Sequence, residues 1–325
     1  LALALKEEGA IVDVIDSLQV NNLLSFASIR TESPSRNLYY RMVNERLDFL
    51  HKADIPIEAQ DAREYHVLSR LLSRLKPQVI IHLAAVAHAG RSNKDPYSTF
   101  DHSLRTLENT LDYSKNDVEH FIYFSSSMVY GNFQSESVTE DTVCNPLGIY
   151  GALKFSGEKI VVAYNQVFNL PYTIVRPSAL YGERCVSRRV GQIFIENALA
   201  GEPINVQGDG TDRLDFTYIG DLVQGIKKII ENENSKSQTL NLTHGESRSI
   251  KEMADVVGKH FPNLTINYLP KDKLMPNRGT LCVDKAKKLI GYDPQYSIEK
   301  GLAKYIDWYK STYQCLVNAE VRTAR

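Results

Sequence analysis

The amino-acid sequence predicts an α/β fold, a parallel sheet wrapped by helices and followed by a smaller α/β part. The first half alternates helical stretches with short β-branched strands, as repeated strand-helix-strand units do. Residues 120–124 (HFIYF) form an apolar run too short for a helix and end in Ser125, Ser126 and Ser127. A buried strand there would deliver three hydroxyls to the edge where open α/β sheets place their ligands. At 325 residues the chain exceeds the size at which one core stops growing, so a large part over 1–177 and a second over 178–325 are expected. No repeat, low-complexity tract or flexible linker separates them, so the two should pack closely and interleave.

Residues 1–8 read as the end of a helix stopped at Gly9, and 10–16 (AIVDVID) as a strand ending in the acid Asp16. The polar stretch 33–54 reads as partly helical, and 55–61 as a strand that ends in Asp61. A helix over 67–75 and a strand over 78–82 lead to the small-residue turn at Ala84 and Ala85. A helix over 103–116 precedes the serine-ended strand, 150–165 reads as a further helix, and 172–176 as a strand ended by Pro177. Beyond it Gly208, Asp209 and Gly210 mark a turn, while 249–261 and 298–313 read as helices among shorter strands.

Composition excludes several classes. With 43% hydrophobic residues, 24% charged and a net charge of -1, the chain is neither disordered nor suited to nucleic acid. Arg184, Arg188 and Arg189 form a short local cluster that fits a phosphate or a solvated face. Cys144, Cys185, Cys282 and Cys315 show no CxxC spacing, which fits reduced thiols and a cytoplasmic setting. The opening LALAL is too short for a membrane span and runs into Lys6, Glu7 and Glu8. His82 and His88 have no cysteine or acid at metal-ligand spacing, so no metal is expected.

Tyr150 and Lys154 stand four residues apart and so share one face of a helix. A second YxxxK, Tyr296 with Lys300, follows the turn-like 291–294 and has no serine-ended strand before it, which singles out the first. Free tyrosine titrates near ~10, so it serves as a base near neutrality only where a neighbouring cation favours the phenolate. Lys154 is placed to supply that charge, and a serine hydroxyl to steady a developing alkoxide or ketone.

With these blocks in view, the chain resembles an extended short-chain dehydrogenase/reductase of the NAD-dependent nucleotide-sugar epimerase/dehydratase family, over essentially its whole length. The ordered blocks are VIDSL with Asp16, Asp61, HLAA at 82–85, SSSMVYG at 125–131, YGALK at 150–154, VRPSALYG at 175–182, GDGTDRLDFTYIGDL at 208–222, and NRGTL with KKLIGYDP beyond. The resemblance implies a Rossmann-type doubly wound sheet with a smaller C-terminal substrate part. It also implies NAD held by Asp16, Asp61, Ala84, Ala85, Ser103, Ser125, Tyr150, Lys154 and Pro177. An acid at the end of the second family strand accepts from a free ribose hydroxyl and would repel a 2′-phosphate, which favours NAD over NADP. The family begins with a strand and a GxxGxxG turn that cradles the pyrophosphate. Leu1 falls in the helix after that turn, so the sequence is expected to begin inside a longer protein.

By the same resemblance the catalytic residues are Ser126, Tyr150 and Lys154, and the substrate meets Ser126, Ser127, Ala179, Arg213 and Arg278. The chain departs from the family at Ser103 and Ala179, where asparagines are usual, and at Leu214, where an arginine is usual and Arg213 stands one place earlier. Relatives that dehydrate or decarboxylate carry an acid just after the catalytic Ser or Thr. Ser127 and Met128 occupy those positions, which favours epimerisation at C4 of a nucleoside-diphosphate sugar, with UDP as the expected carrier. A nucleotide-sugar 4-ketoreductase or 4,6-dehydratase and a catalytically silent dinucleotide-binding regulator stay open as alternatives. Helices 103–116 and 150–165 resemble those that pair relatives into homodimers.

Overall fold

The computed structural model describes residues 1–19, 23, 34–87, 89–270 and 276–323, so His88 lies outside the described residues. Along the chain the elements are α1 Ala2–Glu7, β1 Val14–Asp16, α2 Pro34–Lys52, β2 Ile57–Ala59, α3 Tyr65–Leu75 and β3 Val79–His82. Then come α4 Ala89–Lys94, α5 Pro96–Phe100, a π-helical turn at Asp101–Arg105, α6 Thr106–Asp117 and β4 His120–Phe124. Next are β5 Ser137–Val138, α7 Gly148–Phe168, β6 Tyr172–Arg176, β7 Leu180–Tyr181 and α8 Val190–Ala200. The second half continues with β8 Ile204–Gln207, β9 Arg213–Asp215, β10 Thr217–Tyr218, α9 Ile219–Glu231, β11 Gln238–Asn241 and β12 Ser247–Ser249. It ends with α10 Ile250–His260, β13 Ile266–Leu269, β14 Thr280–Leu281, α11 Asp284–Ile290 and α12 Ile298–Thr323.

The organising sheet is parallel, in the order β11-β6-β4-β3. Its two inner strands, HFIYF and YTIVR, are buried at every position, as strands covered on both faces must be. Because side chains alternate across a strand, Phe121, Tyr123, Tyr172 and Ile174 pack on one face with Leu107 and Leu111 of α6 and Val161 of α7. Ile122, Phe124 and Val175 face the other way, onto Leu222, Ile226 and Ile229 of α9 and Ala286 and Ile290 of α11. The sheet is therefore doubly wound, and β11, α9 and α11 from the second half complete it. A parallel pair β1-β2 sits beside it as a separate two-stranded unit.

Two expected elements differ in extent. The strand expected over 10–16 is regular only at Val14–Asp16, because β2 pairs with those three residues and leaves Ile11 95% exposed. The helix expected over 103–116 starts earlier, at α5, where Asp95 caps the N-terminus by accepting from the Ser98 amide and Pro96 takes the first position.

The catalytic-motif helix α7 lies unusually close to β4. A Cβ built on Gly157 would stand 2.1 Å from the Tyr123 hydroxyl oxygen, so only glycine lets the helix approach. Gly157→Ala should therefore lower stability by roughly 1 to 3 kcal/mol through overpacking. Denaturant unfolding measures it, and an unchanged midpoint would show that the contact is not tight.

Candidate active site

The C-terminal ends of β3, β4 and β6 open onto one groove. Past β4 the chain turns into a short 3-10 helix at Ser127–Tyr130, and Ser126 caps it by accepting from the Met128 amide at 3.2 Å. The Ser127 amide donates to the Pro177 carbonyl at 2.9 Å, which ties the serine turn to the end of β6. The Ser127 hydroxyl is buried against the Ser178 hydroxyl, 3.2 Å away. Ser125 turns the opposite way and donates to Glu158 Oε1 at 2.5 Å.

Helix α7 begins where Asn93 Oδ1 of α4 accepts from the Ile149 amide at 3.2 Å. Tyr150, Lys154 and Glu158 then follow at intervals of four along one face. Burial pushes the Tyr150 phenol above its usual range, and three groups pull it back: a hydrogen bond with Ser126 and the charges of Arg189 and Arg278. Lys154 shares the face with Tyr150, but its ammonium donates to the Phe124 carbonyl at 2.6 Å and lies 5.3 Å from the centre of the Tyr123 ring. Helical spacing fixes the face a residue shares; it does not fix where a four-carbon side chain ends. The cations acting on Tyr150 are arginines, and Arg189 was visible in the sequence only as part of a short basic cluster.

Glu158 is the other residue missed by motif reasoning. Its carboxylate accepts from Arg176 Nε at 2.9 Å and Nη2 at 2.7 Å, with both side chains buried. Arg176 also donates to the Tyr130 hydroxyl at 3.0 Å, which in turn donates to Asn241 Oδ1 at 2.8 Å. The signal was present, since Glu158 continues the Tyr150–Lys154 stripe by one more step of four.

On the substrate side, Arg278 is partly buried, and burial lowers its guanidinium to about 10 while its Nε has no hydrogen-bond partner among the described residues. Arg189 opens α8 and donates from Nη2 to the Ala87 carbonyl at 2.5 Å, reaching across to the loop after β3. Arg213 is engaged elsewhere: Nε donates to Ser247 Oγ at 3.0 Å, and Glu252 lies 3.7 Å away. Ala179 is partly buried with φ +35°, and its carbonyl accepts from the Thr217 amide at 3.3 Å.

The remaining residues expected from the sequence to hold the cofactor lie at or just past the ends of β1, β2 and β3 and in the π-helical turn. Asp16 stands exposed at the end of β1, one oxygen accepting from the Leu18 amide at 2.7 Å. Asp61 is gripped by Arg63, whose Nη2 lies 2.6 Å away, and that hydrogen bonding holds the carboxyl below its usual range. Ala84 is exposed and Ala85 half-covered, a small-residue wall. Thr106 donates to the Ala84 carbonyl at 3.3 Å, and Ser103 is buried in the adjoining π-helical turn. His82 Nε2 is buried at the end of β3 with no hydrogen-bond partner among the described residues. Burial lowers His82 to about 3, so the ring is neutral. Among the described residues no group of three or more His, Cys, Asp or Glu could hold a metal ion. No helix among them is long and apolar enough to cross a membrane.

Residues 4–243 match the model of the "NAD dependent epimerase/dehydratase" family. A Bacillus subtilis protein named as an uncharacterised UDP-glucose epimerase is 32% identical over 244 residues, 73% of this chain and 75% of that protein. A dTDP-glucose 4,6-dehydratase of Xanthomonas campestris is 26% identical over 75% of each chain. A solved mutant of the UDP-glucuronic acid 4-epimerase of Bacillus cereus, with NAD and UDP-4-deoxy-4-fluoro-glucuronic acid, superposes with a TM-score of 0.83. That match has 26% identity and covers 95% of this chain and 94% of that one.

Burial lowers Lys154 to about 8 from the ordinary 10.5, with Glu158 raising it in part. Between those values the unfolded chain binds more protons than the folded one, so this group makes folding more favourable as pH rises through the window. Relative to Lys154→Met, which lacks the titration, the protein should gain about 3 kcal/mol across it, each pKa unit being worth ~1.4 kcal/mol. Unfolding of both proteins across that window measures the difference, and a gap independent of pH would contradict it.

Proposed function

Because the chain belongs to the NAD dependent epimerase/dehydratase family, we propose that it epimerises a nucleoside-diphosphate sugar at C4 through a transient 4-keto sugar. NAD is its cofactor. The reading is carried by the surroundings of Tyr150. The turn after Ser126 offers no carboxylate, since Ser127 is bound to Ser178 and Met128 is buried. The charges acting on Tyr150 are those of Arg189 and Arg278, both cationic. Dehydration or decarboxylation needs a further acid or base beside the sugar, and the two positions after Ser126, Ser127 and Met128, carry no carboxylate.

In this reading Tyr150 takes the proton from the sugar hydroxyl and returns it. Ser126, whose side chain favours the ionised Tyr150 phenol, would hold the oxygen as its charge changes. A bound NAD would supply reversible hydride transfer at the sugar carbon, with no net consumption of cofactor. Asp16, Asp61, Ala84, Ala85, Ser103, Ser125, Lys154 and Pro177 would line its groove. Arg278, with its unpartnered Nε, and Arg189 would meet the diphosphate, since guanidinium groups bind phosphate oxygens in pairs. Ser127, Ala179 and Arg213 would border the sugar and nucleotide. The relatives named for UDP-sugars support UDP as the carrier. A homodimer is supported by Tyr97, Phe100, Val167 and Phe168, apolar side chains left exposed on α5 and α7. A cytoplasmic setting suits the free Cys144, Cys185 and Cys282.

Incubation with NAD and a panel of UDP- and dTDP-sugars, resolved by mass and NMR, should give a C4 epimer of unchanged mass and no net NADH. Tyr150→Phe should lower turnover by roughly 10²- to 10⁴-fold, the usual worth of a general acid-base group, and leave NAD affinity intact. A product lighter by one water would mean a dehydratase, and stoichiometric cofactor use a ketoreductase. Equal silence of wild type and variant, with NAD bound by both, would mean a regulatory protein.

A further inference from the structure

Helix α2 lies in the chain between β1 and β2, the strands that carry Asp16 and lead to Asp61. Its buried side chains nevertheless belong to the core of the second half: Leu38, Tyr39 and Met42 join Phe194 and Ile195 of α8 and Tyr305 and Tyr309 of α12. Polar contacts fix it there. The Tyr39 hydroxyl donates to Glu196 Oε2 at 2.7 Å and accepts from Gln192 Nε2 at 3.2 Å and Arg188 Nη1 at 3.3 Å. Glu45 accepts from Arg184 Nε at 2.7 Å. The Arg184 guanidinium also lies 4.6 Å from the Phe49 ring centre and 5.7 Å from that of Trp308.

Both arginines have left-handed backbones, φ +62° at Arg184 and +50° at Arg188. A non-glycine residue keeps that conformation only where its surroundings hold it. One helix thus grips both ends of residues 184–188, the turn that runs directly into Arg189. Arg46, next to Glu45 on the helix, is a further cation acted on by the charge of Arg184, so the Glu45 pair also offsets repulsion between the helix and the turn.

We propose that α2 is a strap that positions the nucleotide-sugar site, and that Arg184, held by Glu45 and Phe49, sets the turn that aims Arg189 at the substrate diphosphate. Arg184 is a positioning residue: it acts through Arg189 and does not touch substrate. This rests on the proposed function for the identity of the substrate, and on the geometry of α2 for the coupling.

The test measures steady-state kinetics of the full protein with NAD and whichever UDP-sugar it turns over. Arg184→Met should raise KM about tenfold, equivalent to ~1.4 kcal/mol of binding, with kcat within twofold and NAD affinity and Tm unchanged. Arg184→Lys should recover part of the loss, and Glu45→Gln should move KM in the same direction. In an Arg189→Gln background, Arg184→Met should add almost nothing, because the two act on one contact. An unchanged KM, effects that simply add, or a loss of KM, NAD affinity and Tm together would overturn the strap. If the wild-type protein turns over no UDP-sugar, the function reading fails, and the same four comparisons are made with UDP affinity by calorimetry.

Discussion

Arg176 and Glu158 meet where β6 ends against α7, at a depth that leaves both side chains almost wholly out of water. Moving two charges there is costly, and the cost is offset only because the guanidinium meets the carboxylate with two hydrogen bonds and every neighbour is satisfied. Ser125 supplies a third donor to Glu158, and Tyr130 caps the far side of Arg176. Three segments are thereby locked in one register: the serine turn after β4, the end of β6 and the middle of α7. Removing either charge alone would strand its partner, at ~3–5 kcal/mol. That cost is a reason for Tyr150 and Ser126 to keep their mutual position while the groove above them is shaped by loops.

The lock also explains why Ser125 and Lys154 do not look like active-site residues taken singly. Ser125 faces Glu158, and Lys154 is drawn to the Phe124 carbonyl, one residue before the same turn. Burial lowers the lysine, and the neighbouring Glu158 partly restores its charge. The serine block is in this sense two-sided. Ser125 holds the scaffold, Ser126 acts on the Tyr150 phenol, and Ser127 closes against Ser178.

What the sequence made legible follows from range. The strands at 120–124 and 172–176 were legible to the residue because a short segment rich in aromatic and β-branched residues between helical patterns has few other ways to be buried. Tyr150 and Ser126 stood out because the proposed chemistry needs both residue types in a fixed order. Helix α2 was seen only as a partly helical polar stretch, since charged residues are interspersed among its apolar ones and the core partners of Leu38, Tyr39 and Met42 are distant in sequence. The Tyr39–Glu196 hydrogen bond spans 157 residues. Arg189 was hidden for a related reason: three nearby arginines look alike in sequence, and the left-handed backbone at Arg188 separates its direction from theirs.

The two departures from the family pattern that seemed to weaken substrate recognition have a common physical reading. Ala179 offers no side-chain donor where an asparagine is usual, and Arg213 spends its guanidinium on Ser247 and Glu252. Side-chain hydrogen bonding from those two positions is therefore reduced, whereas Arg189 and Arg278 act on Tyr150 as cations. A guanidinium exerts its attraction over a longer range than an amide, but it discriminates poorly among sugar hydroxyls. In the proposed reading the diphosphate anchors the substrate and the sugar ring is held less tightly. An epimerase benefits from that division of labour, because the keto sugar must rotate between its two faces while the nucleotide stays in place.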